Sequence, residues 1–144
     1  MQQTLILLKP DAVSQKVCGK VISRFEDAGL TIRGCKMIQL DSAILKDHYA
    51  HIAEKPFYPD VEKFMSSTPV IALILEGDDV IAKIRDMLGV TDSALAAPGT
   101  IRADYGTKGG PESKMLNIAH ASDSEEAAKA EIARFFKPEE IYNY

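Results

Sequence analysis

Pro69-Val70-Ile71-Ala72-Leu73-Ile74-Leu75 is the most apolar run of the chain. A short, continuous apolar stretch of this kind is the pattern of a buried strand, and proline is tolerated at a strand's first position. The run predicts the central strand of a sheet, and the other elements are read outward from it. Downstream, Gly77-Asp78-Asp79 opens a helix that runs to Met87 or Leu88 and is ended by Gly89. Upstream, Pro59 begins a helix to about Met65, with the proline in the permitted first turn. Asp41 or Ser42 is placed to cap a helix toward Tyr49. Thr31 to Leu40 reads as a strand, and Val17, Val21, Ile22, Phe25 and Ala28 keep the 3.6-residue period of a helix closed by Gly29. Thr4 to Leu8 reads as a fully buried strand that Lys9-Pro10-Asp11-Ala12 stops.

Beyond Gly89 the pattern fades. Thr91 to Leu116 holds two prolines and four glycines and reads as mostly loop, a length that is often functional. Asn117 to Ala119 reads as a short strand. Ser122-x-x-Glu125 matches a capping box for a helix through Phe136. The core order is therefore β-α-β-β-α-β, which implies an antiparallel sheet with helices packed on one face. With no linker, repeat or low-complexity segment, the expectation is one domain over residues 1–144.

Composition narrows the function. The chain has 144 residues, 46% of them apolar, enough for a hydrophobic core without disulfides or metals. A formal net charge of −4 argues against a dedicated nucleic-acid binder. No run is long enough for a signal peptide or a membrane span, and the two cysteines, Cys18 and Cys35, read as free thiols, so a cytosolic protein is expected. Neither a Gly-x-x-x-x-Gly-Lys-[Ser/Thr] loop nor a dinucleotide fingerprint is present, so any phosphate chemistry must use another design.

The candidate chemistry centres on Asn117-Ile118-Ala119-His120-Ala121-Ser122-Asp123-Ser124. A histidine just before a helix N-cap lies beside unpaired backbone N–H groups that can hold phosphate oxygens. A neutral imidazole is also a competent nucleophile. Glu131, eleven residues on, is placed to reach back toward the ring. A lone histidine in such a place is more often structural than catalytic, so its company matters. Lys9 ends a buried strand, Arg85 lies near the end of a helix and Arg102 sits in the long loop. Together they can neutralise a polyphosphate, with Thr91 adding a hydroxyl donor. Tyr49 and Phe57 can stack on a base or serve as packing aromatics. His48 and His51, three apart, lack the partners of a metal site and read as surface or packing residues.

These landmarks occur together in one known family. Ile6-Leu7-Leu8-Lys9-Pro10-Asp11-Ala12-Val13, Gly19-Lys20-Val21-Ile22 with Phe25-Glu26, Lys55-Pro56-Phe57-Tyr58, Pro69-Val70, Pro98-Gly99-Thr100-Ile101-Arg102 and the His120 segment follow one another in register. Over nearly its whole length the chain resembles the nucleoside diphosphate kinases. The resemblance implies an α/β (α+β), ferredoxin-like βαββαβ fold, a four-stranded antiparallel sheet with helices packed around it. It implies ping-pong transfer of the γ-phosphate of a nucleoside triphosphate to a nucleoside diphosphate through a phosphohistidine on His120. Glu131 would orient that histidine, Ser122 would bond near both, and Tyr49 would help position the reacting group. Lys9 and Asn117 would reach phosphates and sugar hydroxyl, Arg85, Thr91 and Arg102 would bind phosphates, and Phe57 would wall the base slot. Mg²⁺ would arrive with the nucleotide, with no dedicated metal site on the protein. Homo-oligomers are implied, the hexamer slightly preferred over the tetramer, with neither nucleic acid nor membrane as partner. The rival expectation is a non-catalytic nucleotide-binding scaffold of the same fold. The chain departs from the family at Ala121, where glycine is usual, at Ile52, where a polar residue is common, and between Arg102 and Asn117, which is about five residues longer than is typical.

Overall fold

The computed structural model describes residues 1–144, the side chain of Pro111 excepted. Four strands, β1 (Gln2–Leu8), β2 (Thr31–Ile38), β3 (Val70–Gly77) and β4 (Ala119–Ala121), form one antiparallel sheet in the order β2-β3-β1-β4. The apolar run Val70–Leu75 is indeed internal: β3 pairs with β1 on one side (Leu5↔Ile74) and with β2 on the other (Cys35↔Leu73). The two crossovers are α2 (Cys18–Asp27), between β1 and β2, and α5 (Val80–Leu88), between β3 and β4. Gly29, at φ +84°, follows α2 in the left-handed conformation expected of a helix-closing glycine.

The helices cover both faces of the sheet, as the resemblance implies, and not the single face implied by element order alone. Ile6, Leu8, Leu73 and Leu75 pack with Val21 and Phe25 of α2 and Val80, Ile84 and Leu88 of α5. On the opposite face, Leu5, Leu7, Ala72 and Ile74 pack with Leu45 of α3 (Ser42–His48), Met65 of α4 (Tyr58–Met65) and Phe135 of α7 (Glu125–Phe135). The physical reason lies in the strands themselves. β1 from Thr4 and β3 from Ala72 to Leu75 are buried at consecutive positions, and successive strand residues point to opposite faces. Such strands need cover on both sides.

Three further elements differ from expectation. Lys9-Pro10-Asp11-Ala12 does end β1, but it also starts α1 (Pro10–Ser14), with the proline at the helix's first position. The stretch from Thr91 to Leu116 is not mostly loop: it contains 3₁₀ turns at Ser93–Leu95 and Pro111–Lys114 and the helix α6 (Ile101–Tyr105), capped by the Thr100 hydroxyl on Ala103 N. The last strand is Ala119–Ala121 rather than Asn117–Ala119. The chain arrives there through Ile118, whose φ of +79° takes it out of the extended region.

Candidate active site

The strained turn at Ile118 is held from both sides by the segment after β1. Asp11 Oδ2 accepts from Ile118 N at 3.0 Å, and Lys9 N donates to Ile118 O at 2.9 Å. A positive φ costs a β-branched residue free energy, and these two bonds oppose that cost. The turn sets the phase of β4. Ala119 and Ala121 enter the core against α2 and α5, so His120, paired opposite Leu7, projects from the other face.

There His120 Nε2 lies 2.8 Å from Glu131 Oε1. Burial pushes the Glu131 carboxyl up, but the hydrogen bond from His120, the charge of that ring and the Ser122 hydroxyl together hold it below its ordinary value. An ionised carboxylate only accepts, so the ring nitrogen facing Glu131 carries a proton, and when the ring holds a single proton the lone pair is on Nδ1. The Ser122 hydroxyl donates to the same Glu131 Oε1 at 2.8 Å and accepts from Leu5 N at 3.2 Å, tying the carboxylate to β1. The helix cap expected of Ser122 is made by Ser124, whose hydroxyl accepts from Ala127 N at 3.0 Å. Ser122 is wholly buried and already bonded to Glu131, which leaves it unavailable as a cap.

The cationic residues converge beside the ring. Lys9, Arg85, Arg102, Thr91, Asn117, Tyr49, His120 and Glu131 all line one cleft of about 310 Å³. Lys9, 7% exposed, donates to Asn117 Oδ1 at 2.7 Å and to Met115 O at 2.6 Å. Burial lowers its pKa to about 8, against the pull of Asp11 and with help from Arg102. The guanidinium of Arg102 is buried and donates to three carbonyls: Asn117 at 3.1 Å, Gly89 at 2.9 Å and Ala119 at 2.7 Å. Burial, with Arg85 nearby, lowers its pKa to about 10, still far above neutrality. Gly89 offers its carbonyl from a backbone at φ +87°, and a Cβ there would strike the Thr100 side chain at 2.7 Å, so the position suits glycine. Asn117 Nδ2 donates to Thr91 O at 2.9 Å. Thr91 and Arg85 are themselves exposed at the mouth.

A second, larger cleft of about 960 Å³ adjoins the first, sharing Lys9, Tyr49 and Lys114. It is lined by Phe57, Ile52, Val61, Phe64, Glu112 and Met115 among others. Phe57 is 51% exposed and stands free to stack. The segment before Asn117 supplies Glu112, Lys114 and Met115 to this wall. The site thus joins an apolar slot to a cationic pocket with a histidine at its end. Tyr49 borders both, its hydroxyl pushed up to about 12 by burial and by the charges of Tyr58 and Glu131, so it remains a phenol.

His48 is the residue that sequence reasoning underrated. It is buried, with its ring centroid 4.6 Å from that of His120 and the planes at 84°. Arg134 Nη1 lies 3.0 Å from His48 Nδ1, and arginine only donates, so His48 is the Nε2–H tautomer. Burial first, then His120, lowers its pKa to about 3 and keeps it neutral. Among the described residues His48, His120 and Glu131 are the one cluster with metal-ligand atoms close together, all within 4.8 Å. Two imidazoles and one carboxylate do not fit Mg²⁺, which takes oxygen ligands, and His48 Nε2 has no lone pair to offer. His51, by contrast, is exposed.

Comparison with known proteins agrees with this geometry. The family model described as nucleoside diphosphate kinase matches residues 2–141. A nucleoside diphosphate kinase of Rhodopirellula baltica is 49% identical over 144 residues, covering 100% of this chain and 91% of its own, and one of Pyrococcus horikoshii is 45% identical, covering 99% and 90%. Among solved structures, the Aquifex aeolicus nucleoside diphosphate kinase superposes with a TM-score of 0.89 at 40% identity, covering 98% of this chain and 99% of that one. A Halobacterium salinarum nucleoside diphosphate kinase in complex with CDP gives 0.92 at 36% identity, covering 99% and 92%. With four antiparallel strands, flanking helices and matches across its length, the chain belongs to the nucleoside diphosphate kinase family.

Proposed function

We propose that this chain is a nucleoside diphosphate kinase that works by ping-pong transfer through His120. The observation that carries the reading is the Glu131–His120 pair: a carboxylate fixes the Nε2–H tautomer, so Nδ1 faces the reaction as a free lone pair. Nδ1 attacks the γ-phosphorus of a nucleoside triphosphate. The P–N bond forms, the bond from the γ-phosphorus to the β,γ-bridging oxygen breaks, and the nucleoside diphosphate leaves with that electron pair. A second diphosphate then takes the phosphoryl group by the reverse displacement.

Lys9, Arg85, Arg102 and Thr91 bind the phosphates and offset the charge that spreads over the transferring group. Asn117, which bonds Lys9, holds that lysine toward the sugar and phosphates, and Tyr49 positions the reacting end. Phe57 stacks on the base, a contact that every base can make, so broad base tolerance follows. Mg²⁺ belongs to the substrate as the magnesium–nucleotide complex. The same reading includes a homo-oligomer, hexamer preferred over tetramer; Val90 and Leu95, 56% and 75% exposed, offer apolar surface for subunit contact. It also places the enzyme in the cytosol, where Cys18 and Cys35 stay reduced.

Incubation with γ-labelled ATP tests it. The protein gains an acid-labile, base-stable phosphoryl group, and a chase with GDP releases the label as GTP. His120→Ala abolishes labelling; labelling unchanged in that variant overturns the mechanism, and a folded wild-type protein that takes no label favours the scaffold reading.

A further inference from the structure

We infer that His48 is a positioning residue for the phosphorylation of His120, setting the plane of the nucleophilic ring by packing against it at right angles. Glu131 holds His120 at one atom, Nε2, at 2.8 Å. One hydrogen bond leaves a ring free to hinge about that point, and hinging swings Nδ1 away from the line of attack. A second contact is needed to fix the plane, and the ring centroid of His48, 4.6 Å away at 84°, supplies it.

His48 is suited to this because it is itself clamped. Arg134 Nη1 donates to its Nδ1 at 3.0 Å, and Arg134 Nε is held by Asp47 Oδ2 at 2.8 Å. Phe135 of α7 packs edge-on at 5.1 Å between centroids, and Tyr49 does so at 4.8 Å. The remaining direction is toward His120. The clamp also joins α3 to α7, the helix that carries Glu131, so both contacts on the nucleophile are referred to one element.

A purely space-filling role does not account for the residue chosen. His48 Nε2 is buried and has no hydrogen-bond partner among the described residues, a cost that leucine or phenylalanine in the same space would not carry. The nitrogen that is satisfied is the one that locks the ring to Arg134. A lysine or arginine here would bring a charge against the nucleophile; a neutral imidazole brings a flat face held at one edge.

The inference rests on the proposed reaction, and its test separates the two. His48→Leu keeps the volume and discards the unpaired donor, so it should fold. His48→Phe restores a ring. In wild-type protein, NMR of the His120 ring nitrogens should show the Nε2–H tautomer and a single setting, a readout that requires no turnover. We expect His48→Leu to broaden those signals by exchange and to slow single-turnover phosphorylation by ATP on the order of tenfold or more, as small misplacements of reacting groups do. Nucleotide KM should stay within about twofold, since the phosphate and base contacts are untouched. His48→Phe restores a ring face against His120 but not the bond to Arg134, so it should recover part of the rate and part of the signal sharpness. A His48→Leu enzyme with wild-type rate and unbroadened His120 signals overturns the inference, as does a His48→Phe enzyme as slow as His48→Leu. Absence of labelling in wild-type protein instead defeats the reaction itself, while the NMR comparison still reports on the packing.

Discussion

At the scale of single residues, the site depends on charges held in places that do not favour charge. Lys9 shows this most clearly. Its burial in the wall shared by both clefts lowers its pKa to about 8 from an ordinary 10.5. Below about pH 8 the folded chain holds a cation ready for phosphate; above it the free enzyme loses that cation. Nucleotide KM should therefore rise between about pH 7.5 and 9, while bound phosphate pulls the pKa back up. The stability consequence has the opposite sense. Between about 8 and 10.5 the unfolded chain still binds the proton that the folded chain has released, so this residue's contribution to stability increases with pH across that window. Lys9→Met removes both trends. Steady-state KM and urea midpoints measured over the same pH series check the pair, and a wild-type KM that is flat from pH 7 to 9 contradicts it. The burial responsible was visible in sequence only as the position of Lys9 at the end of an apolar run; its bonds to Met115 O and Asn117 Oδ1 come from a segment more than a hundred residues away.

At the scale of elements, the reading from sequence succeeds where periodicity has room to repeat. α2 and α5, at 10 and 9 residues, span two turns or more and display an apolar stripe. β1 and β3 contain continuous apolar runs, Leu5 to Leu8 and Val70 to Leu75. The five-residue helices α1 and α6 are too short to show a period, and in both the informative residue has a second meaning: Pro10 reads as a stop, and Thr100 as part of a glycine-bearing loop. The start of α7 fails differently. The capping-box pattern with Glu125 points to Ser122 as the cap. The structure gives the cap to Ser124 because Ser122 is spent on Glu131 and Leu5. This separates two substitutions that look alike in sequence. Ser124→Ala should cost about 1 kcal/mol of stability, the usual loss of a cap, and leave phosphoryl transfer near wild type. Ser122→Ala leaves Leu5 N without its acceptor, should cost about 1–3 kcal/mol, and should also slow transfer because Glu131 loses a fixed partner. Urea unfolding with single-turnover labelling distinguishes them; equal effects on rate would mean that Ser122 acts as a cap after all. His48 reads in sequence as no more than a surface or packing residue for a related reason, since its partners Arg134, Phe135 and His120 belong to elements that only the fold brings to α3.

At the scale of the whole molecule, the proposed nucleotide site draws on nearly every part of the chain: Lys9 after β1, Tyr49 after α3, Phe57 before α4, Arg85 on α5, Arg102 on α6, His120 on β4 and Glu131 on α7. No separate lobe carries it. The clefts are lined from β4, the edge strand, and from helices on both faces of the sheet, so unfolding any one of these destroys the site. Binding free energy should therefore appear in full as stability of the folded chain rather than as local tightening. At a magnesium–ADP concentration about 100 times Kd the gain is about 2.7 kcal/mol, which for a chain of this length raises the unfolding midpoint by roughly 5–10 °C. Arg102→Met separates the two roles of that side chain. It removes the bonds to Gly89, Asn117 and Ala119 as well as a phosphate ligand, so the midpoint should fall in the absence of nucleotide, and most of the nucleotide-dependent rise should vanish. Arg85→Met, exposed and with only a long 3.5 Å contact to Ala121 O, should leave the nucleotide-free midpoint unchanged and reduce the rise alone. Thermal melts of the three proteins at one fixed protomer concentration, with and without nucleotide, make the comparison. If Arg85→Met lowers the nucleotide-free midpoint as much as Arg102→Met does, the division between a buried arginine that braces the β4 approach and an exposed one kept for phosphate is wrong.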